Sequence, residues 1–155
     1  MKYKETVRIA EQQEIAPHIF SMWLEAGSIA GEARPGQFLS LYSRDKSRIL
    51  PRPISICQID PKRGRLRLVY RIAGAGTAEF SGYGAGDTLE AVGPLGNGFP
   101  LDQGYRNVFL VGGGIGIPPL VELSRQLPGE KQVIAGYRDR HLFLKEELEE
   151  NGLFY

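Results

Sequence analysis

The sequence predicts a small antiparallel β barrel in residues 1–103, followed in residues 104–155 by the start of a parallel α/β unit. Two patterns carry this. Before Gly104, short runs of alternating apolar and polar residues recur between Gly- and Pro-bearing turns, the spacing of a barrel. After Gly104, a continuous apolar strand leads into a glycine turn and a helix, and the cycle repeats once to give β-α-β-α.

Val7 and Ile9 alternate with polar neighbours, and Ile19, Met22, Trp23 and Leu24 mark a second strand. Arg34-Pro35-Gly36-Gln37 puts Pro and Gly at the centre of a type II turn. The strand it opens has Phe38 and Ser40 on one face, Leu39 and Leu41 on the other. Residues 49–59 form the next strand, Asp60 to Gly64 turn the chain, and residues 65–73 alternate while growing more apolar. Thr77 is the expected N-cap of a short helix stopped by Gly82 and Gly84. A strand over residues 87–92 precedes the tight loop Gly93-Pro94-Leu95-Gly96-Asn97-Gly98-Phe99.

In the second part, residues 107–111 form the apolar strand and 112–116 the glycine turn, ahead of a helix over 118–127 with Pro in its first turn. Residues 132–137 make a second strand and 140–151 a second helix. Two parallel strands in about 50 residues bury too little core to be comfortable, so the sequence is expected to continue beyond Tyr155.

Composition narrows the function. The chain has 155 residues, 42% hydrophobic and 24% charged, with a formal net charge of +1 and no long basic run. That is ordinary for a globular fold and argues against a general nucleic-acid or membrane-surface binder, which needs a concentrated cationic face. Cys57 is the only cysteine, so no disulfide framework and no four-cysteine metal site can be assembled, and a reducing, cytoplasmic setting is expected. Cys57 itself lies in an apolar run and reads as a small buried hydrophobe. His18 and His141 stand far apart and read as surface residues, and Glu146, Glu147, Glu149 and Glu150 as a solvated helix face. Ser55, Ser81 and Ser124 lack a nucleophile-elbow context, so no residue is given a catalytic role and none a metal-binding one.

Arg52-Pro53-Ile54-Ser55 sets a cation and a hydroxyl three residues apart in an apolar run. Strand alternation sends the two to opposite faces, so one ligand meets both only if it wraps the strand or Pro53 bends it; an edge strand with a solvated arginine is the plainer alternative. Two glycine turns followed by helices, Gly74-Ala75-Gly76-Thr77 and Gly112-Gly113-Gly114-Ile115-Gly116, are candidate anion sites, although either could be only a turn. The second departs from Gly-x-Gly-x-x-Gly because Ile117 stands at the final position. Tyr42, Tyr70 and Tyr83 could stack on a planar ligand or lie buried in the barrel.

Taken in order, Pro35-Gly36-Gln37-Phe38, Arg52-Pro53-Ile54-Ser55, Gly74-Ala75-Gly76-Thr77, the loop from Gly93 to Phe99, and the turn from Gly112 through Pro118-Pro119 resemble the ferredoxin reductase-like flavoproteins. Within these, the set is most similar to the electron-transfer subunits of two-subunit, NAD-dependent dihydroorotate dehydrogenases. The resemblance implies a six-stranded Greek-key barrel that holds FAD and a following domain that receives NAD(H) as substrate. By the same resemblance Arg52 neutralises the FAD pyrophosphate, and Ser55 bonds the flavin ring near N5. Pro53 and Ile54 complete that motif, while Val69, Tyr70 and Arg71 line the flavin and its linker. Gly74, Gly76 and Thr77 close the phosphate site, and Gly113, Gly114 and Gly116 lie under the NADH phosphates.

In this family electrons pass through a [2Fe-2S] cluster to FMN in a catalytic dihydroorotate dehydrogenase subunit, within a heterotetramer of pyrimidine synthesis. The cluster needs four cysteines and this chain has one, so its ligands are absent here. Asp139 suits a ribose 2′-hydroxyl and Arg138 or Arg140 a 2′-phosphate, which leaves NAD against NADP open. Two rival readings remain. The chain could serve an NADPH:ferredoxin transhydrogenase or a hydrogenase with the same motifs, or be a cofactor-free barrel that uses Arg63, Arg65 and Arg67 beside Tyr70 to bind nucleic acid or peptide.

Overall fold

The computed structural model describes residues 1–155. Strands β1 (Tyr3–Ala16), β2 (Ile19–Glu25), β3 (Phe38–Leu41), β4 (Arg52–Asp60), β5 (Arg65–Arg71) and β6 (Thr88–Leu95) close into an antiparallel barrel in the order β1-β2-β5-β4-β3-β6. Because that order departs from the sequence order, two connections cross the barrel ends in Greek-key fashion. Helix α1 (Gly27–Glu32) lies in one of them and α2 (Ala75–Ser81) in the other. Alternation does the rest: Val7, Ile9, Met22, Leu24, Leu39, Leu41, Ile56, Leu66 and Leu68 face inward and form the barrel core with Tyr70, Phe80 and Ile29. Helix α1 had no counterpart in the sequence pattern, since it contains two glycines and no side-chain cap; burial of Ile29 and Ala30 at the barrel end holds it.

The glycines at residues 35–37 and 93–99 serve one another. Phe99 N donates to Pro35 O at 2.8 Å, and Gln37 Nε2 to Gly96 O at 2.9 Å, locking the turn onto the loop. At Gly36, φ is +91° and a Cβ would stand 2.8 Å from Phe99 N. Gly36→Ala is therefore expected to lower stability by roughly 1–3 kcal/mol. A shift in the urea midpoint at unchanged slope checks this, and an unshifted midpoint refutes it.

The second module contains β7 (Asn107–Gly113), a 3₁₀ turn (Gly114–Gly116), α3 (Pro118–Gln126), β8 (Glu130–Gly136), α4 (Lys145–Glu149) and β9 (Leu153–Phe154). Its strands are parallel in the order β7-β8-β9, so the sheet has a third strand beyond the two expected. Two residues are too few to show a period. The helix expected over 140–151 shrinks to Lys145–Glu149: Asp139 Oδ1 captures His141 N at 2.8 Å, and Leu144 sits at φ 64°, outside helical space. One face of this sheet packs through Leu110 and Val133 against α3, whereas Phe109, Val111, Ile134 and Leu153 are exposed on strands of the other.

The modules share a core. Ala16, Ile19, Cys57 and Val69 from the barrel join Ile117, Leu120, Val121 and Leu148 in one buried cluster. A bulge explains how β4 contributes, because its register against β5 slips between Ile56 and Gln58 and frees Cys57 to face out of the barrel. Fully buried there, the Cys57 thiol is pushed up to about 12 by desolvation and stays a packing residue.

Polar ties flank the bulge. Ile59 N donates to the buried Glu122 of α3 at 3.3 Å. Arg67, only 8% exposed, donates to Ser21 Oγ (2.8 Å), Gln58 Oε1 (2.7 Å) and Glu147 Oε1 of α4 (3.0 Å). Two expectations change here. Glu147 belongs to the junction rather than to a solvated face, and Arg67 is not part of an exposed basic surface.

Candidate functional site

Strands β4 and β5 pair only from Ile56↔Leu68 to Asp60↔Arg65. Past that point they part, and each keeps its other neighbour: Arg52 to Ser55 stay paired with β3, and Val69 to Arg71 with β2. Pro53 has no N–H to extend the ladder. Between the open edges lies a cavity of about 500 Å³ lined by Arg52, Pro53, Ile54, Ser55, Val69, Tyr70, Arg71 and Thr77, with Ala73 and Ile115. Unpaired strand edges offer backbone donors and acceptors to whatever enters.

The residues play unequal parts. Arg52 lies across α2, where a Cβ on Gly76 would come within 2.9 Å of its Cγ and 3.0 Å of its Nε, so the glycine makes room for the arginine stem. Pro53 and Ser55 are exposed, whereas Ile54 is buried in the barrel core; Arg52 is exposed as well, and it lines the same cavity as Ser55. Val69 packs in the shared core and Tyr70 in the barrel, where Tyr70 donates to Gln12 Oε1 at 2.7 Å and stacks on Phe20. Neither ring nor aliphatic chain is free for a planar ligand.

Thr77 is not the N-cap. Gly74 is, and Thr77 sits in the first turn, its Oγ1 accepting from Ala73 N (2.8 Å) and Gly74 N (3.2 Å) and donating to Gly74 O. The hydroxyl thus shapes the turn. With seven residues, α2 carries little macrodipole, which leaves Arg52 and Arg71 as the positive charges of the cavity lining.

Glu79 of α2, its side chain 16% exposed, fixes the segment that runs into Arg52. It accepts from Ser43 Oγ (2.5 Å), Arg44 N (2.9 Å), Arg48 Nη1 (2.8 Å) and the Tyr83 hydroxyl. Burial alone would raise its pKa, but these donors outweigh it and hold the carboxyl at about 2. Since the folded value lies below the unfolded one, the stabilisation is complete above pH ~4.5 and is lost as pH falls toward 2. Acid unfolding of Glu79→Gln should therefore be flatter over that window than in the parent, by on the order of 2 kcal/mol after solvent screening; parallel curves would refute the assignment. Glu79 escaped the sequence reading, although Tyr83 follows it by four residues, just past the end of α2.

A second cavity, about 340 Å³, opens where the β1–β2 hairpin meets the carboxyl ends of β7 and β8. Ala16, Pro17, His18 and Ile19 form one wall, Gly114, Tyr137, Arg138, Asp139, His141 and Phe143 another, and Arg71 and Ile72 lie between. Asp139 is engaged by His141 Nδ1 at 2.7 Å. Gly113 faces Gly136 across the two strand ends. The prolines remove the first two amides of α3, and Ile117 N and Leu120 N bond inside the turn, so an anion here meets the Gly114–Gly116 backbone rather than a helix end.

No family model matches this chain, but individual relatives do. The dihydroorotate dehydrogenase B (NAD(+)) electron transfer subunit of Streptococcus pneumoniae R6 is 47% identical over 154 residues, 96% of this chain. The chain is similar to this subunit along nearly its whole length. The corresponding Streptococcus mutans subunit is 41% identical over 95% of the chain. The chain spans about 60% of the length of these subunits. Among solved structures, an NADH-dependent reduced ferredoxin-NADP oxidoreductase studied for flavin-based electron bifurcation superposes with a TM-score of 0.87 at 31% identity, over 95% of this chain and 54% of that one. Ferredoxin-NADP+ reductase from Plasmodium falciparum shares the fold at 15% identity, TM-score 0.80, over 97% of this chain and 68% of its own.

Proposed function

We propose that the cavity between β4 and β5 holds FAD, and that this chain passes electrons between NAD(H) and that flavin in the oxidation of dihydroorotate to orotate. The observation that carries it is the parted strand pair, with its open backbone edges and Arg52 laid across Gly76. A long phosphate-bearing cofactor needs both a cation and close backbone approach, and the cradle supplies both. When bound, FAD would supply the redox chemistry by taking up electrons one at a time and passing a hydride to NAD+, the direction that oxidation of dihydroorotate requires.

The chain binds and orients. Arg52 neutralises the pyrophosphate, Ser55 bonds the ring edge from the outer face of β4, and residues 69–71 present their strand edge. Gly74, Gly76 and Thr77 hold the turn beneath the phosphates. Gly113, Gly114 and Gly116 receive the dinucleotide beside the second cavity, which brings nicotinamide toward flavin and makes hydride transfer a matter of positioning. The partner is the FMN-containing catalytic subunit, in the cytoplasm. With one cysteine and no cluster of three or more metal-ligating side chains, the chain does not fit a [2Fe-2S] centre.

Gel filtration of the purified chain with added FAD tests the proposal: flavin absorbance should travel with the protein, and colourless protein would count decisively against it. A second reading, the flavin subunit of a ferredoxin-NADP transhydrogenase, draws on the 31% identical oxidoreductase. A dihydroorotate dehydrogenase gene beside this one favours the first reading. The cofactor-free binding module loses its support, since Arg63 pairs with Asp60, Arg65 with Glu25 and Arg67 with Glu147.

A further inference from the structure

Arg71 is the one residue that lines both cavities. It ends β5, and its position explains why. On one side it pairs with Ile19 of the hairpin that walls the smaller cavity, and on the other it faces the gap left by β4. Its Nη2 stands 3.7 Å from the point a Cβ on Gly114 would occupy, so the guanidinium lies against the start of the glycine turn. It takes part in none of the ion pairs of the chain, while the other charged residues of the smaller cavity include an Asp139 already engaged by His141. A half-buried cation with no internal partner, set between two recesses, is matched to anions in both.

We infer that Arg71 is a shared phosphate contact, one guanidinium that bonds the ligand of the larger cavity and the ligand of the smaller one together. A guanidinium has five N–H donors in a planar fork, enough to serve two phosphate groups on different edges, whereas an ammonium is a point charge. The inference rests on the assignment of FAD to the larger cavity and of a dinucleotide to the smaller. It adds that the two sites meet at one side chain, and that a single substitution weakens both.

Calorimetric titration of the whole chain with FAD, and of the FAD-saturated chain with ADP-ribose, tests this. Arg71→Met should weaken each ligand about tenfold or more, the loss expected for a charged hydrogen bond. Arg52→Met should weaken FAD alone and Arg138→Met ADP-ribose alone. Arg71→Lys keeps the charge without the fork; it should fall between parent and Arg71→Met for both ligands, and it decides the matter if the Met variant does not fold. A loss confined to one ligand, or no loss, overturns the inference while leaving the flavin assignment intact. So does a parent chain that binds FAD but not ADP-ribose. A parent that binds no FAD removes the flavin assignment itself, and the shared contact with it.

Discussion

Arg52→Ala is expected to yield a folded but colourless chain, with FAD affinity reduced roughly 100-fold, because a pyrophosphate loses its main charged donor. Stability should barely change. Arg52 is exposed, joins no ion pair, and leaves behind only the unfilled surface above Gly76. The complementary substitution, Gly76→Val, approaches the same end from beneath: its side chain occupies the space of the Arg52 stem and displaces the guanidinium without removing it. Flavin retention and the denaturation midpoint, measured on both variants, separate this from general unfolding. An Arg52→Ala protein that keeps its flavin would end the pyrophosphate assignment.

Arg67→Ala should be the most destabilising removal of a basic side chain, at about 2–4 kcal/mol. Three acceptors, on β2, β4 and α4, lose their donor together, and a nearly dry site cannot rehydrate them in full. Glu147 keeps some solvent access, which holds the loss below that of a fully buried pair. Arg65 provides the comparison on the same strand: its pair with Glu25 is exposed and 3.4 Å long, worth no more than about 1 kcal/mol. Urea denaturation of both variants measures the difference, and equal midpoints would refute a special role for Arg67.

The barrel was legible in the sequence because period-2 alternation records which face is buried, and that record is strong where strands have one dry side, as along residues 38–41 and 88–91. What tertiary contacts decide was not legible. Helix α1 forms because Ile29 and Ala30 plug a barrel end, and β9 exists because Leu153 and Phe154 find β8. Arg67 reads as one of three basic residues spaced two apart from the turn into β5, and only the bulge at Cys57, which brings α3 and α4 against β4 and β5, makes it different from Arg63 and Arg65. Within the site, the motif around Arg52 was visible, but the reason for Gly76 was not, since close packing on a side chain 24 positions earlier leaves no local mark. The Thr77 reading missed by three positions: Gly74 is the cap, and a threonine at the start of a helical stretch looks like a cap whether it bonds forward or back.

The two cores also differ in whom they depend on. Every member of the barrel core lies between Val7 and Ala91, and the last closing strand ends at Leu95. The second core draws Ala16, Ile19, Cys57 and Val69 from strands already locked in that barrel. On a ribosome, where the amino-terminal part emerges first, the barrel can therefore close before the glycine turn has been made. The α/β segment then condenses on a finished surface, using the bulge at Cys57 as its template, so all of the larger cavity's lining but Ile115 is in place before the second cavity exists.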